Sequence, residues 1–223
     1  MKTMRRIILF GGSFDPIHVG HTTVVAHAHR HLAADTVIFV PARRSPLKAA
    51  SPKATDADRM AMIARVLSDH PGWQVSDCEL RRPAPSYTLD TIRHFRTLRG
   101  PGTRLYWLIG ADTVPELPNW HGIDRLLDLC TVAAMCRAGC PRPDFSPFLS
   151  LWGPERVRAL QENVIETPLV DVSSTRIRRR IAQGRDVSTL LHPGVLAYIH
   201  RHGLYRRSRS HGSMLETVPS PPE

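Results

Sequence analysis

Residues 5–21 read RRIILFGGSFDPIHVGH, and they set the class of fold. The apolar run within residues 5–10 has the length of a short buried strand, and a glycine pair ends it. A helix is predicted over residues 19–34, where apolar residues recur on one side, and a second strand over the β-branched run 36–40. Strand, helix and strand within about forty residues predict a βαβ unit, which requires a parallel sheet with a crossover connection.

Strands and helices keep alternating along the rest of the chain. Helices are predicted over residues 56–67, 89–98, 123–128 and 174–182. Strands are predicted over residues 73–76, 104–109, 130–135 and 164–166, with a further extended segment at 169–170. This pattern predicts an α/β fold of the Rossmann-like type, a doubly wound and mostly parallel sheet with helices on both faces.

One domain accounts for nearly the whole chain. Residues 141–154 are rich in proline, but another βα unit follows them, so we interpret them as a surface excursion rather than a linker. We therefore assign residues 1–205 to a single domain. Residues 206–223 are rich in Ser, Pro and Arg and show no apolar period, so we expect a disordered C-terminal tail there.

The composition favours an anionic partner. The 223 residues include 30 Lys and Arg against 20 Asp and Glu, a formal charge of +10, and such a charge attracts anions. No paired-cysteine finger or aromatic RNA-binding motif accompanies the charge, so we expect no nucleic-acid partner. The longest apolar runs, such as residues 37–40, are far shorter than the roughly 20 residues that cross a bilayer, so we expect no membrane partner.

The N-terminal segment and the cysteines indicate a cytoplasmic protein. Residues 7–10 are too short for the core of a signal peptide and lead directly into glycines. Cys78, Cys130, Cys136 and Cys140 are then expected to be free thiols in a reducing cytosol. Cys136 and Cys140 have the spacing of half a zinc site, but no second half accompanies them, so we predict no protein metal site.

The segment after the first strand has the features of a phosphate-binding site. Gly11 and Gly12 let a ligand approach the backbone closely, and His18 and His21 lie at positions i and i+3 of a beginning helix, where both can face one point. Helix N–H groups and the positive end of the helix dipole meet at that point, which is also the carboxyl end of a strand. The spacing matches neither a Walker loop nor a dinucleotide-binding glycine motif. Two simpler readings are that the histidines hold zinc, for which no third ligand is close in sequence, and that Asp15 caps the helix.

A second helix start, late in the chain, has similar chemistry. Ser173, Ser174 and Thr175 precede a stretch with helical period and offer hydroxyl and N–H groups. Arginines in the first turns oppose the helix dipole, which is easier to explain if an anion binds there, and among them we single out Arg178. Earlier in the chain, Asp112 follows a predicted strand, a position where a carboxylate commonly binds a ribose hydroxyl.

These segments together resemble a known family. GGSFDPIHVGH (residues 11–21) resembles the signature of the H-x-G-H nucleotidyltransferases, and four further segments, in the same order, resemble those of the bacterial nicotinate-nucleotide adenylyltransferases. The four are residues 45–48, residues 86–91, residues 107–112 with Trp120, and residues 172–178. The similarity extends over roughly residues 5–205. Taken alone, residues 86–91 would be an ordinary helix cap and Trp120 an ordinary core or surface aromatic residue.

The resemblance implies a nucleotidyltransferase of NAD biosynthesis. Such an enzyme transfers AMP from ATP to the 5′-phosphate of nicotinate mononucleotide, giving nicotinate adenine dinucleotide and pyrophosphate by direct in-line displacement at the α-phosphorus. The attacking phosphate is already an anion, so no nucleophilic side chain is needed. Mg²⁺ is expected to accompany ATP and to be bound mainly through its phosphates and water.

The resemblance also assigns residues to roles. The catalytic residues are His18, His21, Lys48 and Arg178. The residues expected to bind ATP are Gly11, Gly12, Ser13, Phe14, Gly20, Gly110, Asp112, Ser173, Ser174 and Thr175. In the mononucleotide site, Trp120 is expected to stack on the ring, Thr88 and the backbone N–H of His121 to approach its carboxylate, and Asp90 to face away.

Two alternatives stay open. The enzyme could act on another phosphate acceptor, nicotinamide mononucleotide or phosphopantetheine, although the phosphopantetheine enzymes lack the features of residues 86–91 and Trp120. The chain could also be a regulator that binds nucleotides without turnover, which the presence of His18, His21 and Arg178 argues against.

Overall fold

Six parallel strands form a single sheet in the computed structural model, which describes residues 4–46 and 50–206. The strands are β1 (Arg5–Gly12), β2 (Thr36–Pro41), β3 (Trp73–Val75), β4 (Thr103–Gly110), β5 (Thr131–Arg137) and β6 (Val164–Thr167). Their order across the sheet is β3-β2-β1-β4-β5-β6, with parallel pairing between neighbours. This is the order of a doubly wound Rossmann-type sheet, in which the winding changes direction between β1 and β4. The predicted fold class is confirmed.

Helices cover the sheet on both sides. The α-helices of the described residues are α1 (Val19–His31), α2 (Asp56–Leu67), α3 (Thr88–Arg99), α4 (Ile123–Leu129), α5 (Leu149–Glu162), α6 (Ser174–Ala182) and α7 (Pro193–Arg201). Short 3-10 helices occupy Ala111–Asn119, Ser146–Phe148 and Ser188–Leu190. Within this described part of the chain, none of the helices combines the length and the apolar character needed to span a bilayer.

The strands are buried on both faces, because each face carries its own layer of helices. Along β1, Ile7 and Leu9 pack into one hydrophobic cluster and Ile8 and Phe10 into the other, as the alternation of side chains along a strand requires. The first cluster includes residues of α3, α4 and α5, and the second includes residues of α1, α2, α6 and α7. The carboxyl end of β1, from which the GGSFDP segment continues, is therefore fixed by packing from both sides.

The elements differ from the predictions mainly in four places. Helix α1 ends at His31 rather than at residue 34, because Ala33 adopts a left-handed φ of 45°. Helix α5 has no counterpart among the predicted elements, since glycine followed by proline is typical of a break; the helix kinks there instead, with Gly153 at φ 72°. Residues 169–170 lie outside the strands, and α7 is a further helix that the periodicity does not reveal.

Two expectations fall on residues outside the described ranges. Lys48 lies in the gap between residues 46 and 50, and the tail beyond Arg206 follows the last described residue. The domain boundary at residue 205 and the disordered tail therefore stay predictions.

Candidate active site

Two neighbouring clefts open at the carboxyl ends of β1 and β4, the strands between which the sheet changes its winding direction. The first, about 1010 Å³, contains His18, His21 and Arg178, and we call it the phosphate cleft. The second, about 760 Å³, contains Thr88 and Trp120, and we call it the Trp120 cleft. The residues that line both are Phe10, Gly11, Gly12, Ser13, Gly110 and Asp112. Two ligands can therefore lie on either side of one shared wall.

The glycines of this wall are required by close packing. A Cβ atom at Gly11 would lie 2.5 Å from the Trp107 ring, and a Cβ atom at Gly12 would lie 2.9 Å from the Phe14 ring. A larger side chain at either position would therefore displace an aromatic ring of the core. From the other side, the buried Arg59 donates a hydrogen bond from Nη1 to the carbonyl of residue 13 (2.8 Å). The loop after β1 is thus held firmly while its surface lines both clefts.

His18 and His21 form a stacked pair at the start of α1. Their ring centroids lie 3.7 Å apart, with the planes at 21°, as expected for positions i and i+3 of a helix. The backbone N–H of His18 donates to Nδ1 of His21 (3.2 Å). Because Nδ1 accepts this hydrogen bond, the neutral His21 ring carries its hydrogen on Nε2 and has a donor there.

His18 is buried and uncharged at neutral pH. Its side chain is 7% exposed, and burial lowers the pKa of His18 from 6.5 to about 4. Its Nδ1 atom is buried and faces the backbone N–H of His21, as in a capping box, without a well-formed hydrogen bond. A phosphate near the exposed edge of the ring would raise the pKa of His18 again, because its negative charge favours the protonated form.

The start of α6 forms the opposite side of the phosphate cleft. Ser173 is the N-cap, and its hydroxyl accepts a hydrogen bond from the Arg176 backbone N–H (3.2 Å). The Arg178 guanidinium donates from Nη2 to the Thr175 hydroxyl (3.2 Å) and from Nη1 to the backbone carbonyl of Asp15 (2.6 Å). Arg178 is therefore fixed between α6 and the loop after β1, with its side chain in the cleft lining.

Asp15 does not cap α1, because His18 occupies the N-cap position. The Asp15 carboxylate, which is buried, instead accepts hydrogen bonds from the backbone N–H groups of Lys53 (2.7 Å) and Ala54 (3.0 Å). It also accepts a hydrogen bond from the Tyr205 hydroxyl (2.7 Å). Asp15 thus joins the loop after β1 to the segment before α2 and to the residues after α7.

The Trp120 cleft is built where the start of α3 meets the segment after β4. Trp120 directly follows the 3-10 helix Ala111–Asn119 and packs against the first hydrophobic cluster, with its indole Nε1 buried and unpartnered within the described residues. Thr88 is the first residue of α3 and lines the same cleft. The rings of Tyr87 and His121 lie 4.5 Å apart, which joins the two segments.

A buried carboxylate also lines the Trp120 cleft. Glu79 accepts a hydrogen bond from the Thr91 hydroxyl (2.5 Å), which in turn accepts one from the Arg82 guanidinium (2.6 Å). Burial raises the pKa of Glu79, while Thr91 and Arg82 act in the opposite direction. Asp90 pairs instead with Arg93 (3.8 Å) and is not among the residues that line the cleft.

The sequence matches a family model described as cytidylyltransferase-like over residues 9–180. The chain belongs to this family. Curated relatives with the name "probable nicotinate-nucleotide adenylyltransferase" cover most of the chain. The relative from Thermus thermophilus is 40% identical over 202 residues (90% of this chain and 100% of the relative). The relative from Roseiflexus castenholzii is 38% identical over 206 residues (92% of this chain and 100% of the relative). The relative from Dehalococcoides mccartyi strain 195 is 35% identical over 201 residues (89% of this chain and 96% of the relative). The predicted resemblance is confirmed.

Solved structures show the same fold. Plasmodium falciparum nicotinic acid mononucleotide adenylyltransferase complexed with NaAD superposes with a TM-score of 0.69 at 18% identity, covering 90% of this chain and 97% of that chain. The same enzyme complexed with APC gives a TM-score of 0.67 at 18% identity, with the same coverage. At this identity, the likeness concerns the arrangement of the backbone.

The structure of this cytidylyltransferase-like chain brings its predicted site residues together. Every predicted site residue within residues 4–46 and 50–206 lines one of the two clefts. Phe14 differs from the others in that its ring is buried and packs edge-on against His21, with the ring centroids 5.2 Å apart, so it supports the histidine pair. The roles of these residues toward substrates stay predictions, and Lys48 lies outside the described ranges.

Sequence reasoning missed several residues of the site. Lys53 lines the phosphate cleft. The rarity of lysine in this chain, which has only three, could have drawn attention to it. Glu79 lies in the segment that precedes the residues 86–91 motif, but nothing in its spacing indicates that it is buried. The contact between Tyr205 and Asp15 has no local signal, because 190 residues separate the two.

Proposed function

We propose that this chain is a nicotinate-nucleotide adenylyltransferase, which transfers AMP from ATP to the 5′-phosphate of nicotinate mononucleotide and releases pyrophosphate. The observation that carries the proposal is the pair of clefts with one shared glycine wall, the stacked histidines on one side and Trp120 on the other. The names of the relatives at 35–40% identity support the choice of acceptor.

ATP occupies the phosphate cleft and the mononucleotide occupies the Trp120 cleft. The acceptor 5′-phosphate oxygen attacks the α-phosphorus at the shared wall, and the bond to the bridging oxygen of the leaving pyrophosphate breaks as the new P–O bond forms. In-line displacement needs the attacking and leaving oxygens on opposite sides of the phosphorus, and two clefts on either side of one wall favour that geometry. The acceptor phosphate is itself the nucleophile, so the protein needs only to position it against the α-phosphorus and needs no side-chain nucleophile.

The histidines neutralise charge that develops on the phosphate oxygens. The Nε2–H of His21 is a donor because Nδ1 already accepts the His18 backbone N–H. His18 is neutral before ATP binds, and the negative phosphates favour its protonation, so it takes up positive charge where the transition state needs it. Donors of this kind typically contribute about 10²–10³-fold to turnover.

Arg178 stabilises the leaving pyrophosphate, together with the N–H and hydroxyl groups at residues 173–175 and with Lys48. ATP binds as its magnesium complex, with the ion held mainly through phosphates and water. The described residues contain no group of three His, Cys, Asp or Glu side chains that could hold a metal ion. Asp112 lies on the wall that both clefts share. Its carboxylate binds a ribose hydroxyl there.

The Trp120 cleft selects the acceptor. The indole of Trp120 stacks on the pyridine ring, and the Thr88 hydroxyl and the backbone N–H of His121 donate to its carboxylate.

The enzyme works in the cytosol, where its cysteines stay reduced. Cys78 and Cys130 are buried thiols without a disulfide, and burial raises the pKa of both.

A pyrophosphate-release assay with a panel of acceptors tests the proposal. The panel contains nicotinate mononucleotide, nicotinamide mononucleotide and phosphopantetheine, each with ATP and Mg²⁺. We expect the highest kcat/KM with nicotinate mononucleotide, and its loss in the His18→Ala control. Preference for either other acceptor would assign a different transferase, and ATP binding without pyrophosphate release on any acceptor would indicate a regulator.

A further inference from the structure

The Asp15 carboxylate has more partners than a helix cap would need. Its Oδ1 atom accepts from the Ala54 backbone N–H (3.0 Å) and from the Tyr205 hydroxyl (2.7 Å). Its Oδ2 atom accepts from the Lys53 backbone N–H (2.7 Å) and lies 3.6 Å from Nη1 of Arg178. Since each carboxylate oxygen has two acceptor sites, Oδ1 is fully occupied and only Oδ2 retains room for a further donor.

The distance between Arg178 and this carboxylate is intermediate. At 3.6 Å the two groups attract each other but do not form a hydrogen bond. Nη1 of Arg178 donates instead to the Asp15 backbone carbonyl (2.6 Å), and Nη2 to Thr175. The guanidinium is therefore held beside Asp15 without being drawn into a bidentate pair, which leaves it in the lining of the phosphate cleft.

The Tyr205 hydroxyl is a permanent donor to the Asp15 carboxylate. Burial, the Asp15 charge and the hydrogen bond itself raise the pKa of Tyr205, so the hydroxyl keeps its proton. Helix α7, which leads to Tyr205, packs on α2 through apolar side chains of one buried cluster, among them Ile199 and Met62. The Arg65 guanidinium also lies 4.2 Å from the Tyr198 ring centroid, a contact that needs the ring and not the hydroxyl. Tyr205 itself adopts a positive φ of 63°, at the point where the chain leaves α7.

We propose that Tyr205 is a positioning residue of the transferase: its hydroxyl holds the Asp15 carboxylate so that Arg178 stays available to the phosphates of ATP. This inference rests on the proposed use of the phosphate cleft for ATP. Without the Tyr205 hydroxyl, the buried carboxylate loses a donor at Oδ1 and carries more uncompensated negative charge, which attracts the Arg178 guanidinium 3.6 Å from Oδ2 more strongly. The guanidinium then closes onto Asp15 and away from the cleft.

Binding of magnesium-ATP, measured by calorimetry, tests this proposal without any acceptor. Tyr205→Phe removes the hydroxyl alone, and we expect it to weaken ATP binding by about 5- to 10-fold, a change within the range that one typical hydrogen bond contributes. Because the assay contains no acceptor, an error about nicotinate mononucleotide would appear in the pyrophosphate-release panel and not here.

The matched control is Tyr198→Phe, which removes the hydrogen bond from the Tyr198 hydroxyl to the Asp58 carboxylate (2.9 Å) and keeps the ring. Neither residue lines either cleft. We expect this variant to bind ATP as the unchanged protein does. Equal weakening of ATP binding in both variants would mean that α7 has merely loosened, and it would overturn the proposal.

A double-variant cycle tests the route through Arg178. In an Arg178→Met background, adding Tyr205→Phe should change ATP affinity less than about twofold, because coupled residues are not additive. An undiminished effect of Tyr205→Phe in that background, or an unchanged ATP affinity of the single variant, would refute the role assigned to Tyr205.

Discussion

The depressed pKa of His18 makes stability depend on pH in a defined way. Burial lowers the pKa of His18 to about 4, against 6.5 in an exposed histidine. The unfolded chain therefore binds a proton at this residue more readily than the folded protein does. Between pH 6.5 and 4, protonation favours the unfolded state, so the free energy of unfolding should fall as the pH falls through this window.

The size of the effect follows from the shift. A difference of one pKa unit corresponds to about 1.4 kcal/mol, so this shift amounts to about 3 kcal/mol at and below pH 4. At pH 5, where the unfolded chain is mostly protonated at this residue and the folded protein mostly is not, His18 alone should cost about 2 kcal/mol relative to pH 7. That is a large part of the total stability of a typical domain.

Urea unfolding at pH 7, 6 and 5, with the protein as expressed and with His18→Asn, measures this contribution. Asparagine is uncharged and favoured at helix N-caps, the position that His18 occupies in α1, so the variant should fold. The histidines that do not contact His18 contribute equally to both proteins and cancel in the difference. We expect His18→Asn to lose about 2 kcal/mol less than the unchanged protein between pH 7 and pH 5. Parallel losses in the two proteins would show that His18 titrates normally and is not desolvated.

Three further predictions concern catalysis, the acceptor and the tail. Changing either His18 or His21 to Ala should lower kcat by about 10²–10³-fold, with much less effect on ATP affinity, as steady-state kinetics and calorimetry can show; near-normal turnover in both would remove them from the catalytic site. Trp120→Ala should raise KM for nicotinate and nicotinamide mononucleotide together and keep their ratio, whereas Thr88→Ala should shrink the ratio; loss of discrimination in the tryptophan variant alone would contradict this assignment. Removal of residues 206–223 should leave kcat and Tm nearly unchanged, while removal of Tyr205 as well should raise KM for ATP.

The phosphate side of the site could be predicted from the sequence because its geometry is local. His18 and His21 are three positions apart on one helix, and their stacking follows from helical periodicity. The hydroxyl cluster that begins α6 is likewise contiguous, with Ser173 at its N-cap. Since parallel strands end at one edge of a sheet, the residues that follow β1 and β4 had to meet once the βαβ pattern was recognised.

The contacts that hold these groups in place are not local, and no short-range pattern reveals them. The partners of Asp15 lie 38, 39, 163 and 190 residues away along the chain. From the neighbouring sequence alone, an aspartate just before a helix is interpreted as a cap, because a capping side chain bonds to backbone N–H groups only two or three residues away. The long-range role depends on how α6 and α7 pack, and α7 itself has no strong signal in the sequence.

We expect neutral donors to decide between acid and amide, because the carboxylate of Glu79, which lines the Trp120 cleft, is paired with Arg82. Glu79 would repel a nicotinate carboxylate, but Arg82 lies 3.8 Å from it and the Thr91 hydroxyl bridges the two. An aromatic face contributes about 1–3 kcal/mol to a stacked ring whatever its substituent, so we expect Trp120 to favour both mononucleotides equally. A carboxylate accepts hydrogen bonds only, whereas an amide also presents an N–H₂ donor that another donor cannot satisfy. Thr88 is therefore the side chain in this cleft whose removal should change the ratio of the two KM values rather than both values together.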